Sequence, residues 1–418
     1  MKGVKRTMSR NESQVIDGGL SPGQASPTHA AHARKTVLFV KKTNEFGGAE
    51  IHLLQLMRRV REPGVQLSLL CVEDDVFSER LDSDPTVDVI TCKRVPESLR
   101  DWVRLFRASQ PDAVVFIYSW LWCFPSIAPV GAWLAGIREL YAIQHALPPR
   151  VPPKVEGRSI RDALRRLIGK RARHLLGSMV RPNLWHKTIC VSNAVREALI
   201  RDYRFPPERT LTIHNGVSLS EFAPSVSDGI AVRNRLGLRS DDFVLVCAAR
   251  LTEHKGVDIL LQAIARALRN GVPCKCIILG DGPLRELLLE QARELGLLGH
   301  VFFEGFQKDV RPYLQASSAF VLTSHTEGGG GPLSVLEAMA CGLPCIVTGV
   351  GGSLEAITDQ VDGLVVPPAS ANAVADAISY LATHPHERAQ MGRKASTTAC
   401  ELFNIDHRMA EIKRVILN

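Results

Sequence analysis

The stretch Asp241–Leu268, DDFVLVCAARLTEHKGVDILLQAIARAL, decides the fold. Its first half, FVLVCAA, is a continuous apolar run with no polar face, and its second half is an amphipathic segment of helical length. A strand that is apolar on both faces and leads straight into a helix is the repeating unit of a parallel sheet covered on both sides. The pattern goes on downstream as CKCIILG with LRELLLEQARELG, then HVFFEGF, AFVLTS with VLEAMACG, and PCIVTGV. Upstream it reads TVLFVKK with IHLLQLMRRV, VQLSLLCVE with PESLRDWVRLFRAS, DAVVFIYS, LYAIQH, and KTICVS with NAVREALIRD. After Ile213 it pauses at HNGVSLSEFAPSVSDG, a stretch rich in Gly, Ser, Pro and Asp. The reading is an α/β chain of two doubly wound units joined near Asn215, with strand ends that can face one cleft.

Length and composition agree with this. At roughly 150 residues per domain, 418 residues make two or three domains. Hydrophobic residues at 45% and charged residues at 22% are globular values, which excludes a largely disordered, collagen-like or all-membrane chain. The ten cysteines have no regular spacing, and several (Cys190, Cys247) sit in apolar runs as small hydrophobes rather than in a disulfide framework. Cys274 and Cys276 alternate along an expected strand, where a zinc site would need two further ligands that nothing nearby supplies.

The polar first 34 residues lack an apolar core and read as a disordered tail rather than a secretory signal. The uncharged run Val114–Ile137 contains Pro125, Pro129, Gly131 and Gly136, so it reads as a buried strand, a turn at Phe124 and Pro125, and a buried helix instead of a membrane span.

In such sheets the chemistry lies beyond the carboxyl ends of the strands. TVLFVKK runs into Phe46-Gly47-Gly48-Ala49-Glu50, where adjacent glycines let a substrate approach backbone at a helix N-terminus. His145 follows a strand and precedes Pro148 and Pro149, which puts it on a strand-end loop. VLVCAA ends in Arg250-Leu251-Thr252-Glu253-His254-Lys255-Gly256, and two cations on one turn can neutralise a diphosphate. Gly280-Asp281-Gly282-Pro283 reads as a tight turn. In Ser324–Gly342, SHTEGGGGPLSVLEAMACG, four glycines between strand and helix can expose N–H groups to phosphate. Glu337, one turn into that helix, can accept sugar hydroxyls or simply complement the helix dipole.

The ordered set resembles family 4 of the retaining GT-B glycosyltransferases. It runs through the Gly-Gly turn, the mid-chain histidine, Asn215-Gly216-Val217, R-L-x-x-x-K-G, G-D-G-P and E-A-M-A-C-G-L-P, from about Thr36 to Pro368. The resemblance implies a GT-B fold of two Rossmann-like domains facing a cleft. The boundaries are an acceptor-side domain at 35–213, a nucleotide-sugar domain at 214–399, and a last helix, about 400–418, packing back on the first. It implies transfer of a sugar from a nucleotide diphosphate sugar to a glycan or lipid-linked acceptor, with retention, in polysaccharide or lipopolysaccharide biosynthesis. By similarity, Arg250 and Lys255 hold the diphosphate and Glu337 holds the ribose hydroxyls. Gly48, Leu333 and Ser334 approach the phosphates, and His145 contacts the donor sugar. No cofactor or metal is expected, since the cationic pair stabilises the leaving diphosphate.

One departure stands out. The family carries two glutamates eight positions apart, and counting back from Glu337 lands on Gly329, whereas the available carboxylate is Glu327. Either the glycine run bulges and Glu327 still reaches the sugar, the favoured reading, or that contact is lost.

The net charge of +8 is not spread evenly. Between Lys154 and Lys187 ten cations face two acids, a surplus equal to that of the whole chain, and apolar residues recur there at helical spacing. This is the pattern of an interfacial helix on an anionic membrane, with Arg161, Arg165, Arg166 and Lys170 as contacts, or else of a helix packed on the sheet with a solvated basic face. No aromatic stacking platform accompanies the charge, so nucleic acid is not an expected partner. The expected location is cytoplasmic and peripheral, on the inner face of the membrane. Two other readings compete. A nicotinamide oxidoreductase lacks its G-x-G-x-x-G after the first strand. A membrane-bound scaffold without transfer activity is made conceivable by the irregular glutamate spacing.

Overall fold

The computed structural model describes residues 14–15, 35–42, 48–72, 88–92, 96, 98–118, 127–146, 184–224, 226–327 and 329–418. Their strands make two parallel sheets. The first comprises β1 (Gln14–Val15), β2 (Lys35–Lys42), β3 (Val65–Val72), β4 (Asp88–Cys92), β5 (Ala113–Tyr118), β6 (Glu139–Gln144), β7 (Lys187–Cys190) and β8 (Thr210–Thr212). Its order is β1-β4-β3-β2-β5-β6-β7-β8. The second comprises β9 (Val244–Ala248), β10 (Lys275–Leu279), β11 (Val301–Gly305), β12 (Ala319–Leu322), β13 (Cys345–Thr348) and β14 (Gly363–Val366), ordered β11-β10-β9-β12-β13-β14. The order reverses between β2 and β5 in one sheet and between β9 and β12 in the other, and ligands of open α/β sheets sit at such reversals.

Helices cover both faces. In chain order they are α1 (Gly48–Val60), α2 (Leu99–Ser109), α3 (Ile127–Leu134), α4 (Asn193–Tyr203), α5 (Val226–Arg235), α6 (Val257–Arg269) and α7 (Arg285–Glu294). There follow α8 (Arg311–Gln315), α9 (Leu333–Ala340), α10 (Ser353–Ala356), α11 (Ala371–Thr383), α12 (Pro385–Leu402) and α13 (Ile405–Leu417). All six residues of β5 are buried because each face of the sheet meets helices. Val37, Phe39, Leu53 and Met57 pack with Ile405, Met409 and Ile412 of α13, so the last helix belongs to the first domain's core. On the other face Leu38, Val40, Phe116 and Trp102 pack with Trp185. In the second domain α6, α7 and α11 cover one face and α9 and α12 the other.

The chain crosses between domains twice, and the two crossings are paired. Val217 N donates to Phe403 O (2.8 Å) and Ile405 N to Val217 O (3.1 Å). A Cβ on Gly216 would lie 2.5 Å from Ile405 Cα, which only glycine avoids.

Three short strands, β4, β8 and β14, escape the apolar-run reading. Gln14–Val15 pairs in parallel with Ile90–Thr91, so these two residues of the expected disordered tail are a strand; its other members lie outside the described residues. The Val114–Ile137 run gives strand β5 and helix α3, but that helix is not buried throughout: Trp133 and Leu134 are 44% and 43% exposed at its end. Among the described residues no helix is long and apolar enough to cross a membrane.

Candidate active site

The turn after β9 and the loop after β12 lie side by side at the strand-order reversal of the second sheet. They are joined through backbone: Thr323 Oγ1 donates to Gly256 O (2.7 Å), and His325 N donates to His254 O (2.9 Å). Gly256 has φ +61°, and a Cβ there would sit 2.2 Å from Thr323 O, so the approach demands glycine. This contact brings Lys255 onto Glu327 across 72 positions of sequence: Nζ donates to Oε1 (2.7 Å) and Oε2 (2.9 Å). Ser324 Oγ donates to the same carboxylate. Glu327 thus lies at the cationic turn, while Gly329 bridges Ala146. Arg250 starts the same turn and is exposed.

Gly280-Asp281-Gly282-Pro283 supports that turn from behind. Leu251 N donates to Asp281 O (2.9 Å), and added Cβ atoms on Gly280 and Gly282 would meet Ala249 O and Leu251 O at 1.9 and 2.4 Å. These glycines are demanded by backbone packing.

The glycine run also has a packing role. Gly329 bridges Ala146 of the first domain, and a Cβ on it would lie 2.8 Å from His145 O and 2.6 Å from Val195 Cγ2. Gly330 packs on Val191, and Asn215 Nδ2 donates to Gly331 O (3.3 Å). Gly48, at the start of α1, faces Leu333: a methyl there would sit 3.6 Å from Leu333 Cδ1. Across the domains, then, Gly48 meets Leu333 and the His145 carbonyl meets Gly329. Glu355 secures the approach. Its carboxylate accepts the N–H groups of Asn193 (2.8 Å) and Ala194 (2.9 Å) at the start of α4, and lies 2.9 Å from His214 Nε2.

The Glu337 side chain, on α9, has no hydrogen-bond partner among the described residues. Burial, with Glu221 contributing, pushes its carboxyl up to about 7. A carboxyl whose ionised form is disfavoured by burial and which no protein group engages is suited to meeting hydroxyl groups from a ligand.

Beneath His145 lies a cluster that the sequence patterns did not single out. His52 of α1 meets the His145 ring edge-on at 4.8 Å between centroids. Both nitrogens of His52 and Nε2 of His145 are buried without a hydrogen-bond partner. Burial pushes His52 down to about 4; burial, with His52 and Lys41 contributing, pushes His145 well below the ordinary histidine range. Lys41 and Glu50 form a buried ion pair at 2.8 Å. The signal was legible in the register: Lys41 follows Val37 and Phe39 with strand period two, and His52 precedes Leu56 and Val60 with helical spacing.

Arg161, Arg165, Arg166 and Lys170 lie outside the described residues, as does most of the basic stretch. Cys274 and Cys276 are buried free thiols, and among the described residues no group of His, Cys, Asp or Glu is arranged to hold a metal ion.

Two facing Rossmann-like sheets whose strand-end loops meet at a cationic turn define the GT-B class. Residues 46–221 match the model of Glycosyltransferase Family 4, and residues 230–398 match that of glycosyl transferases group 1. The structure of Anabaena HepE in complex with UDP superposes with a TM-score of 0.76 at 21% identity, covering 91% of this chain and 99% of that one. A D-inositol 3-phosphate glycosyltransferase of Kribbella flavida is 25% identical over 84% of this chain and 86% of its own length. The UDP-Gal:alpha-D-GlcNAc-diphosphoundecaprenol alpha-1,3-galactosyltransferase of Escherichia coli is 32% identical over 43% of this chain, a match that spans about half (47%) of that relative. Together the family models and the GT-B structures support a group 1 glycosyltransferase.

Proposed function

We propose that this protein transfers a sugar from a nucleotide diphosphate sugar to a glycan or lipid-linked acceptor, with retention of anomeric configuration. The observation that carries the reading is the Lys255–Glu327 pair at the strand-order reversal, on the turn that Arg250 begins and beside the loop whose Gly329 bridges Ala146. The relatives agree with it: one acts on UDP-Gal and a diphosphoundecaprenol-linked acceptor, and HepE is found with UDP.

In this reading Arg250 and Lys255 take the diphosphate, and their charge stabilises it as the anomeric bond breaks. Glu327, released from Lys255, accepts donor-sugar hydroxyls, and Glu337 accepts those of the ribose. Gly48, Leu333 and Ser334 bring backbone to the phosphates. His145, neutral at pH 7, hydrogen-bonds the sugar. The leaving diphosphate takes the acceptor proton on the face from which it departs, which yields retention without a protein nucleophile. No resident metal is needed. The acceptor comes from an anionic membrane surface that the basic segment around Arg161, Arg165, Arg166 and Lys170 engages from the cytoplasmic side.

Lys255→Ala tests the assignment. It abolishes transfer and nucleoside diphosphate protection against thermal unfolding while the circular dichroism spectrum stays that of the wild type. Wild-type turnover in this variant removes the diphosphate role. Screening uridine, guanosine and adenosine diphosphate sugars by thermal shift identifies the donor, since a ligand at a hundredfold its Kd stabilises by about 2.7 kcal/mol.

A further inference from the structure

At the end of the first sheet opposite the cleft, three neighbouring strands begin on or just after a cation. Arg138 precedes β6, Lys187 opens β7, and Arg209 precedes β8. Parallel pairing brings these starts into one row around an open cavity of about 320 Å³. Trp133, Leu184, Trp185 and His186 complete its lining, which contains no carboxylate among the described residues.

Among the described residues none of the three cations forms an ion pair. Arg138 Nη1 donates to Trp133 O (2.8 Å), and Lys187 Nζ donates to Glu208 O (3.1 Å), both neutral carbonyls. Arg209 makes no side-chain hydrogen bond or ion pair among the described residues. Glu139, the nearest acid in sequence to Arg138, is engaged by Lys35 at 2.8 Å. The Arg138 guanidinium lies 4.9 Å from the centroid of the Trp133 ring, a stacking that fixes its plane. On the same rim Trp133 and Leu134 stand 44% and 43% exposed.

We propose that this cavity binds the phosphate headgroup of an anionic membrane lipid, with Trp133 and Leu134 entering the bilayer interface. Charge alone would suit any phosphate. The exposed tryptophan and leucine beside it favour a lipid, because an indole ring with an apolar body and a polar edge settles at the headgroup level. The cation-rich sequence between Lys154 and Lys187 ends in this cavity, at Lys187 itself. The site lies one sheet-length from the cleft, about 20 Å for a strand of six residues, so a bilayer held here does not cover the cleft. The inference rests on the membrane reading above but assigns the contact to different residues.

The test is co-sedimentation of the full chain with equimolar phosphatidylglycerol–phosphatidylcholine vesicles. Each cation at such a surface contributes about fivefold in partitioning, so Arg138→Gln with Arg209→Gln weakens binding about 25-fold at low salt. Trp133→Ala weakens it further, and Arg138→Lys with Arg209→Lys retains most of it. Transfer to a soluble acceptor is unchanged in all of them. Wild-type affinity in the double glutamine variant overturns the site; if neutralising Arg161, Arg165, Arg166 and Lys170 then abolishes binding, the membrane reading survives without it. Failure of the wild type to sediment overturns both. If inorganic phosphate protects the wild type but not the double variant from thermal unfolding, and no vesicle binding occurs, the cavity is a free-anion site and the lipid assignment is overturned.

Discussion

Replacing Glu337 by Gln separates the cost of the candidate site from its use. Burial raises this carboxyl from 4.5 to about 7. At about 1.4 kcal/mol per tenfold change in proton affinity, ionising it in the folded chain costs about 3 kcal/mol more than in the unfolded chain. Solvent still reaches part of the side chain, which trims the figure to about 2 kcal/mol. Between 4.5 and about 7 the folded form retains a proton that the unfolded form has lost, so the wild type loses stability as pH rises through that window. Glutamine has the same shape and cannot ionise. The variant therefore matches the wild type at the acid end of the window and exceeds it by about 2 kcal/mol at roughly pH 8. That gain raises the unfolding midpoint of the second domain by about 4–8 °C. His52 and His145 titrate in both proteins and cancel in the difference. Nucleoside diphosphate protection moves the other way, falling about 10- to 100-fold in affinity as a hydrogen bond to a charged acceptor is lost. The assay is thermal unfolding at both pH values, with and without uridine and guanosine diphosphate. A stability gain independent of pH, or no gain, refutes the burial argument; unchanged nucleotide affinity refutes the ribose role.

Glu327→Gln removes the carboxylate that occupies Lys255, so a nucleoside diphosphate without its sugar binds several-fold tighter while transfer falls; isothermal titration beside a turnover assay reads both. Glu355→Ala frees the start of α4 and opens the domains, seen as a larger radius of gyration in small-angle scattering, with a raised KM for the acceptor; an unchanged radius removes the clamp. His52→Leu changes acid stability: the wild-type imidazole, pushed down to about 4, favours the fold above its unfolded value of 6.5 and loses that contribution as pH falls through about 4. The leucine variant accordingly unfolds at lower pH in an acid titration followed by tryptophan fluorescence.

Strands buried on both faces announce themselves in sequence, as AVVFIY does, because nothing polar can be tolerated there. Thr210–Thr212 and Gly363–Val366 do not, since short strands toward a sheet edge are fixed by the neighbour they pair with. In the site, residue types and order were legible but partnerships were not. Lys255 finds Glu327 only because two glycine-dependent loops touch, and Glu355 reaches α4 only once the domains are closed. The glycine run was read for its N–H groups, whereas Gly329 and Gly330 are held by close packing against the first domain. Lys41, Glu50 and His52 leave only a trace in the register, because a polar residue in an apolar register reads as an ordinary interruption until its neighbours are known.

The placement of α13 sets an order of assembly. Ile405, Met409 and Ile412 close the core of the first domain, yet about 190 residues of the second separate them from Ile213. At about 5–20 residues per second, a ribosome leaves that apolar groove on β2 and α1 without its cover for roughly 10–40 s. The second domain, whose own core needs nothing from upstream of Val217, can assemble most of that core within the interval, with α12 and Phe403 joining last. The nascent first domain is therefore a client for chaperones until that one helix docks.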